Sequence, residues 1–466
     1  GDLHAVETRW EQVNKEHKVW LDRYNANKAD KDALKKANDL AAQSREASDR
    51  AAELRAKLQE IDPKLRNAAA IRRALVDTLR SMTGAALDRL QDQLKSSKDW
   101  ETRAGIATAF EQMSGATGLN ALTEAAAQET EPTVRIAILN ALGTKGTKNE
   151  GVLSALREGL KEAKVWQVMI AALQSAVRLG AHELLSEIID AFAGAEGRLV
   201  YDFSEGLARL TGVDKGIKAD AWRAWFEANR EQALSGRLQP PKEYTPGKPA
   251  GKTEFFGIPV TSTRVVFVLD RSGSMMEPAD WVPEIGTGEG LPPELRQPQG
   301  TRKIDIARWQ LKKVIHLMPK GALFNIIFYN SAFDVFKPRM IKLTDATRKE
   351  AFAFIDGLDP FGQTNIFDSV ERAMQFATGK DGRLDKDAPD TIYLLSDGLP
   401  NQGKFTNVND ILREVKTLNA ALKMTLNAIW VDKARAPNDP PTPSGEEWMR
   451  RLAEENGGKF VSSPKK

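Results

Sequence analysis

Four predominantly apolar runs mark the last two hundred or so residues: VVFVLD (265–270), ALFNIIFYN (322–330), TIYLLSD (391–397) and TLNAIWV (425–431). Segments of helical periodicity lie between and after them: KIDIARWQLKKVIHLM, TRKEAFAFIDGL, NIFDSVERAMQFA, NDILREVKTLNAAL and EEWMRRLAEEN, with a short GKFVSS strand at the end. A strand that is apolar on both faces must be covered on both faces, and the alternating helices supply the covering layers. The expected fold of this region is therefore a doubly wound parallel α/β sheet. Ligands of such sheets sit beyond the carboxyl ends of the strands, where the loops converge. The residues that end these runs are the candidate functional residues.

The first run ends in Asp270, Arg271, Ser272, Gly273 and Ser274; TIYLLSDG ends in Asp397 and Gly398; and the loop DPFGQTN presents Thr364 just before a helix. Two carboxylates and three hydroxyls thus share one rim, with no histidine among them. Hard oxygen donors suit Mg²⁺, with Mn²⁺ or Ca²⁺ as alternatives, and do not suit zinc. A small dication takes six oxygens at roughly 2.1 Å and keeps several waters, so five protein groups leave a position for an outside ligand. A nucleophile elbow needs GxSxG and a histidine base, whereas Ser272 has Asp270 where the first glycine belongs. A phosphate loop needs GxxxxGK[ST], a spacing that GTKGTKNEG lacks. A phosphohydrolase with Asp270 as nucleophile is compatible with the sheet, but no catalytic lysine stands in clear register.

DRSGS, a distant threonine in GQTN and an aspartate in LLSDG together resemble the von Willebrand factor A domain and its metal-ion-dependent adhesion site. All five elements are present as Asp270, Ser272, Ser274, Thr364 and Asp397; the departure is Gln363, where a second glycine is common. The resemblance implies that Ser272 and Ser274 bind the metal directly, that Asp270 and Asp397 act mainly through water and hydrogen bonds, and that Thr364 contacts the engaged ion. It also implies a non-enzymatic role, in which the open position takes an Asp or Glu carboxylate from a protein partner. A long insert, EPADWVPEIGTGEGLPPELRQPQG, follows the metal turn and holds Glu277, Asp280, Glu284, Glu289 and Glu294. Loops this long are usually functional or disordered; the expectation is that one of these acids fills the open position until a partner displaces it. Met275, Met276, Phe361, Leu399 and Pro400 flank the turns, and an exposed subset would frame a protein contact.

The preceding half is helical. TRAGIATAF, TVRIAILNAL and VWQVMIAAL each open a helix, and each is followed by a second: LNALTEAAA, VLSALREGL and ELLSEIIDAF. The strings recur at a period of roughly 32, within the range of helical solenoids. EPTVRIAILNALG resembles a HEAT-type repeat, with Pro132 at the helix start, Val134, Ile138 and Ala141 as the apolar stripe, and Arg135 expected to face outward. Trp222 and Trp225 are expected to cap the last apolar surface. Nearer the start, Trp10, Val13, His17, Trp20 and Tyr24 form one seam and Leu40 to Ile61 a second, broken at NANKADKD; this predicts an antiparallel helical hairpin or coiled coil leaving at Pro63.

The expected division is 1–66 helical hairpin, 67–235 HEAT-like repeats, 236–258 a Pro/Gly/Lys linker and 259–466 the von Willebrand-type module. The chain is 41% hydrophobic and 28% charged, with a net charge of +3, no cysteine and four scattered histidines. Such values describe globular material, exclude disulfides and thiolate zinc, and disfavour a DNA-binding protein. RNA is the alternative partner, since helical repeats joined to such a module are similar in outline to Ro-type RNA-binding ring proteins. Against it, the solenoid looks too short for a closed ring, and no basic-aromatic platform stands out. No run is long enough to span a bilayer. The chain begins at Gly1, consistent with removal of a signal or tag. A cysteine-free composition fits either compartment, and export to the periplasm or cell envelope is expected over the cytoplasm. Self-association is expected through the N-terminal helices.

Overall fold

A computed structural model describes residues 84–113, 115–236, 253–279, 291–357, 359–431 and 443–463, together with 30–43 and scattered positions nearby in the N-terminal part. The chain divides into two compact units, Gly1–Leu75 and Val76–Lys466. In the first, a helix over 31–43 starts where Asp30 Oδ1 accepts the Ala33 N–H at 2.9 Å, and Ala33, Ala37 and Leu40 are buried along one stripe. Val13 is buried, and Arg23 lies over the Trp20 ring at 5.0 Å. Trp10, Tyr24 and nearly all of the second seam lie outside the described residues.

The second unit opens with helices in pairs. After α1 (Ala85–Ser96) come α2 (Trp100–Gln112) and α3 (Leu119–Ala126), then α4 (Pro132–Thr144) and α5 (Glu150–Leu160). They are followed by α6 (Trp166–Leu179) and α7 (Leu185–Ala193), α8 (Leu199–Thr211) and α9 (Ala219–Ala228), and the short α10 (Arg230–Leu234). The pairing thus runs one repeat further than the three aligned strings. Pro132 opens α4, where its missing N–H costs nothing. Val134, Ile138 and Ala141 are fully buried, as expected of a stripe shared with both neighbouring repeats. Arg135 does not face outward; it pairs with Glu162 at 2.6 Å, as Arg103 one repeat earlier pairs with Glu129 at 2.7 Å. A half-buried guanidinium here meets a carboxylate in the turn that leads into the next repeat, which an isolated helix pattern does not reveal. Trp222 is fully buried, donates to the Gly216 carbonyl at 2.7 Å and meets Trp225 edge-on.

The stretch read as the end of the linker is ordered: β1 (Glu254–Phe255) and β2 (Ile258–Pro259) form a hairpin whose central Phe256 and Gly257 both have positive φ, a twist that matches the strands. It carries Phe255 into the core against Phe267 and Tyr393. The main sheet contains β3 (Arg264–Asp270), β4 (Leu323–Tyr329), β5 (Phe333–Val335), β6 (Ile341–Lys342), β7 (Thr391–Ser396), β8 (Thr425–Val431) and β9 (Phe460–Ser463). Its order is β5-β4-β3-β7-β8-β9; β5 and β6 pair antiparallel with β4, and every other pairing is parallel. The helices α11 (Lys303–Leu317), α12 (Asp345–Asp356), α13 (Ile366–Met374), α14 (Val408–Leu422) and α15 (Pro443–Glu454) alternate with the strands. This is the doubly wound parallel α/β fold expected, joined to an all-α solenoid. The central β3 has β4 on one side and β7 on the other, so the crevice opens at the carboxyl ends of β3 and β7.

The solenoid packs on the opposite, amino ends of the strands. Arg198 donates to the Lys423 carbonyl at 3.1 Å and to Thr425 Oγ1 at the start of β8. Lys423 in turn reaches Asn140 Oδ1 at 2.7 Å and Gln174 Oε1 at 3.0 Å, and Asn140 donates to the Ala420 carbonyl. Arg198 and Arg264 both lie over the Trp166 ring. Burial, with Arg178 nearby, lowers the Lys423 pKa to about 8.

Close helix approach makes Gly143 a sensitive point, since a Cβ there would lie 2.6 Å from Ser175 Cβ and 2.9 Å from its Cα. Alanine is the better helix former by about 1 kcal/mol. Gly143→Ala should nonetheless destabilise the chain by about 1–3 kcal/mol through overpacking of α4 against α6, read from the urea midpoint.

Candidate metal centre

The strand β3 ends on Asp270, which has no exposure. Its Oδ1 accepts the Ser272 N–H at 2.7 Å, and its Oδ2 accepts the Ser396 hydroxyl at 2.7 Å from the end of β7. Both oxygens are thus satisfied from within, and the carboxylate ties two strand ends together. The Ser272 and Ser274 hydroxyls lie 3.1 Å apart, and Ser274 donates to Asp397 Oδ1 at 2.7 Å. Four of the five expected residues form one continuous polar chain.

Thr364 arrives on a third loop that is fastened to the first. Phe361 N–H donates to the Arg271 carbonyl at 2.9 Å and Gly273 N–H to the Gly362 carbonyl at 3.1 Å. The buried Arg271 side chain pairs with Asp334, donates to the Asp359 carbonyl at 3.2 Å and lies over Phe361 at 4.7 Å. Gly362 has φ 75° and Ser331 Oγ 2.8 Å from where a Cβ would sit, so a side chain has neither the conformation nor the room. On the far side, Thr364 N–H donates to Asn401 Oδ1 at 2.8 Å, and a Cβ on Gly398 would come within 3.6 Å of Thr364 Oγ1. Gln363 uses its backbone N–H, to Ser331 Oγ at 3.0 Å, and its side chain is exposed. The absent second glycine therefore leaves this turn in place. The structure brings all five residues to one rim, and hydroxyls beside carboxylates are a donor set that fits a small hard dication.

Burial and the nearby Asp397 raise the Asp270 pKa from 3.8 to about 7, against the lowering effect of the hydrogen bonds from Ser272 and Ser396. The charge that answers Asp397 is one that sequence reasoning misses. Lys303, at the first turn of α11, is buried; its Nζ lies 2.7 Å from Asp397 Oδ2 and 3.0 Å from Glu277 Oε2. Burial opposes its charge, yet Asp397 and Glu277 outweigh that and raise its pKa. A cation at a helix N-terminus faces the wrong end of the helix dipole, so KIDIARW carries a signal that this lysine needs carboxylate partners. Ser396, next to Asp397 in LLSD, is the other residue whose position in the string offers a signal.

Glu277 does not fill the open position; it pairs with Lys303, and its backbone carbonyl accepts the Lys303 N–H at 3.0 Å. Asp280, Glu284 and Glu289 lie outside the described residues, and Glu294 lines a separate cavity with Trp309, Arg308 and Lys312. The phosphohydrolase reading changes its footing. A lysine does stand at the rim, while Asp270 is fully buried and each of its oxygens accepts a hydrogen bond, from Ser272 N–H and the Ser396 hydroxyl, which ties it to the turn and to β7.

Residues 87–177 match the family model for HEAT repeats, and residues 265–399 match that for the von Willebrand factor type A domain. Over those residues the sheet module matches the von Willebrand factor type A domain. Among curated proteins the chain is 26% identical over 228 residues to inter-alpha-trypsin inhibitor heavy chain H3 of Mesocricetus auratus, covering 47% of this chain and 22% of that one. It is 26% identical over 162 residues to heavy chain H4 of Homo sapiens, covering 34% and 15%. Over 211 residues it is 24% identical to human von Willebrand factor A domain-containing protein 3A, covering 45% and 14%. The chain thus spans between 14% and 22% of the length of these relatives. Among solved structures it is similar to a von Willebrand factor type A protein from Catenulispora acidiphila, at 17% identity and a TM-score of 0.29, covering 42% of this chain and 38% of that one. It is also similar to the conserved hypothetical protein BatB from Bacteroides thetaiotaomicron, at 14% identity and a TM-score of 0.29, covering 43% and 90%.

Because the folded, metal-free chain holds a proton on Asp270 more tightly than the unfolded chain does, this group's linkage makes stability fall as pH rises from about 4 to about 7. In EDTA, Asp270→Asn should remove that part of the loss, with a Tm at alkaline pH equal to or above wild type. Adding Mg²⁺ should raise the Tm of wild type and leave the variant unmoved.

Proposed function

We propose that this chain is a metal-dependent protein-binding scaffold rather than an enzyme, and that its von Willebrand factor A module holds a partner's Asp or Glu carboxylate through Mg²⁺ at Ser272, Ser274, Thr364, Asp270 and Asp397. Mn²⁺ and Ca²⁺ are the other ions such a donor set accepts. The observation that carries the reading is the convergence of three loops on one rim, with the hydrogen-bonded chain Asp270–Ser272–Ser274–Asp397 at its centre and Thr364 beside it. A bound dication supplies Lewis acidity toward a carboxylate oxygen. Ser272 and Ser274 offer uncharged oxygens, which neutralise the ion less than carboxylates do. Asp270, with both oxygens engaged by Ser272 and Ser396, acts from behind, fixing the turn.

The rim also suits a protein rather than a small acid. Met275 and Pro400 are buried, whereas Met276 and Leu399 are 45% and 43% exposed, among the most exposed large apolar side chains of the described residues. Met276 follows closely on Ser274, and Leu399 on Asp397. A carboxylate presented between apolar neighbours is the partner chemistry such a collar fits. The RNA alternative has less support: Arg103, Arg135 and Arg157 of the solenoid are each committed to a glutamate. Self-association through the N-terminal part belongs to this reading, and an exported, envelope-facing location suits an adhesion-type site. Among the described residues no helix is long and apolar enough to cross a membrane.

A pull-down from native extract, with and without EDTA, tests the reading. Capture should require the divalent ion and vanish for Asp270→Ala, and Ser272→Ala should weaken Mg²⁺ binding roughly 10- to 100-fold, as loss of metal-site support does. Capture that persists in EDTA and in Asp270→Ala would refute the carboxylate-through-metal reading.

A further inference from the structure

Lys303 is a charged group at the rim that the proposed function does not use. Three observations single it out. It is 4% exposed, so its ammonium is held by the protein and not by bulk water. It sits at the first position of α11, where the helix dipole disfavours a cation. Finally, it divides its hydrogen bonds between two carboxylates on different segments, Asp397 at the end of β7 and Glu277 just after the metal turn. Asp397 is itself shared, with Oδ1 taking the Ser274 hydroxyl and Oδ2 the ammonium.

We infer that Lys303 is an internal counter-cation that sets the affinity of the site for its dication, competing for Asp397 and falling back on Glu277 when a metal binds. The inference rests on the metal-binding reading above and goes beyond it in assigning the affinity-setting role to this lysine. A dication between Ser272 and Ser274 draws on the same carboxylate whose charge Lys303 already balances, and a fixed positive charge nearby opposes a second cation. Glu277 stabilises the ammonium in both states. Its carboxylate therefore offsets part of the repulsion once Asp397 turns its charge toward the metal. The pairing is also built into the backbone: the Lys303 N–H donates to the Glu277 carbonyl at 3.0 Å, which keeps the two side chains adjacent in either state.

The competition gives two substitutions opposite signs. Lys303→Met, which keeps the length of the side chain and removes its charge, should raise Mg²⁺ affinity at least tenfold. Glu277→Gln leaves the ammonium in place without its fallback and should lower Mg²⁺ affinity by threefold or more. Lys303→Arg, which retains the charge, should stay on the wild-type side of the tenfold gain. The measurement is isothermal titration of the full chain with MgCl₂, with free Mn²⁺ counted by electron paramagnetic resonance as a second readout and circular dichroism to establish that each variant is folded. If wild type binds neither ion, the metal reading itself fails and this inference with it. If wild type binds and folded Lys303→Met binds no more tightly, the counter-cation role is overturned while the metal site stands. Should Lys303→Met not fold, Glu277→Gln decides: equal or tighter binding than wild type overturns the proposal.

Discussion

A carboxylate with no exposure ends the central strand, and the rest of the rim is arranged around keeping it there. An isolated buried carboxylate costs several kcal/mol to desolvate; Asp270 offsets this with the Ser272 N–H on one oxygen and the Ser396 hydroxyl on the other. The first bond folds the DRSGS turn back on itself, which places the hydroxyls of Ser272 and Ser274 side by side. The second locks the end of β3 to the end of β7, where Asp397 follows immediately. What remains is an imbalance of charge, visible in the upward shift of Asp270 under burial and the proximity of Asp397. Such imbalance is a mark of a functional site more than of a structural turn. Lys303 relieves it from the Asp397 side.

The sheet and the five rim residues were legible because their signals are local or near-local. Predominantly apolar runs specify strands covered on both faces, and polar residues at the carboxyl ends of such runs fall on the rim. Arg271 and Lys303 show where that legibility ends. Arg271 reads as a spacer in DRSGS, yet its guanidinium reaches Asp334 on an edge strand and the carbonyl of Asp359, both far along the chain. Lys303 reads as the polar start of an amphipathic helix, and only the fold shows that this start abuts the end of β7. Both are cations whose partners are distant in sequence, so no window of periodicity contains the pair. Arg135 fails for the same reason: its outward expectation rested on one helix, and its partner Glu162 lies 27 residues on, in the turn before the next repeat.

The expected linker, 236–258, has a last stretch that is structured: Glu254–Phe255 form β1, and Phe255 enters the core of the sheet module. The modules on either side of it are also packed together. Composition reports what a segment does on its own; it does not report whether the bodies it joins have complementary faces. Here they do. Asn140, Gln174, Arg198 and Lys423 pair across the contact, and Trp166 is flanked by two guanidinium groups.

That contact bears on function through geometry. In a parallel sheet all carboxyl ends lie on one side, and the solenoid occupies the other. A ligand at the candidate rim therefore approaches from the side away from the helical repeats, and engaging it does not require the contact between repeats and sheet to open. The cost of the contact falls on Lys423, whose ammonium loses its water and is driven down to about 8. A lysine retained under that penalty, with Asn140 and Gln174 supplying its hydrogen bonds, argues that the angle between solenoid and sheet is fixed by specific polar pairing and not by apolar adhesion alone. Under the proposed scaffold role, this arrangement would orient a partner at the rim with respect to the helical repeats and not merely attach it to them.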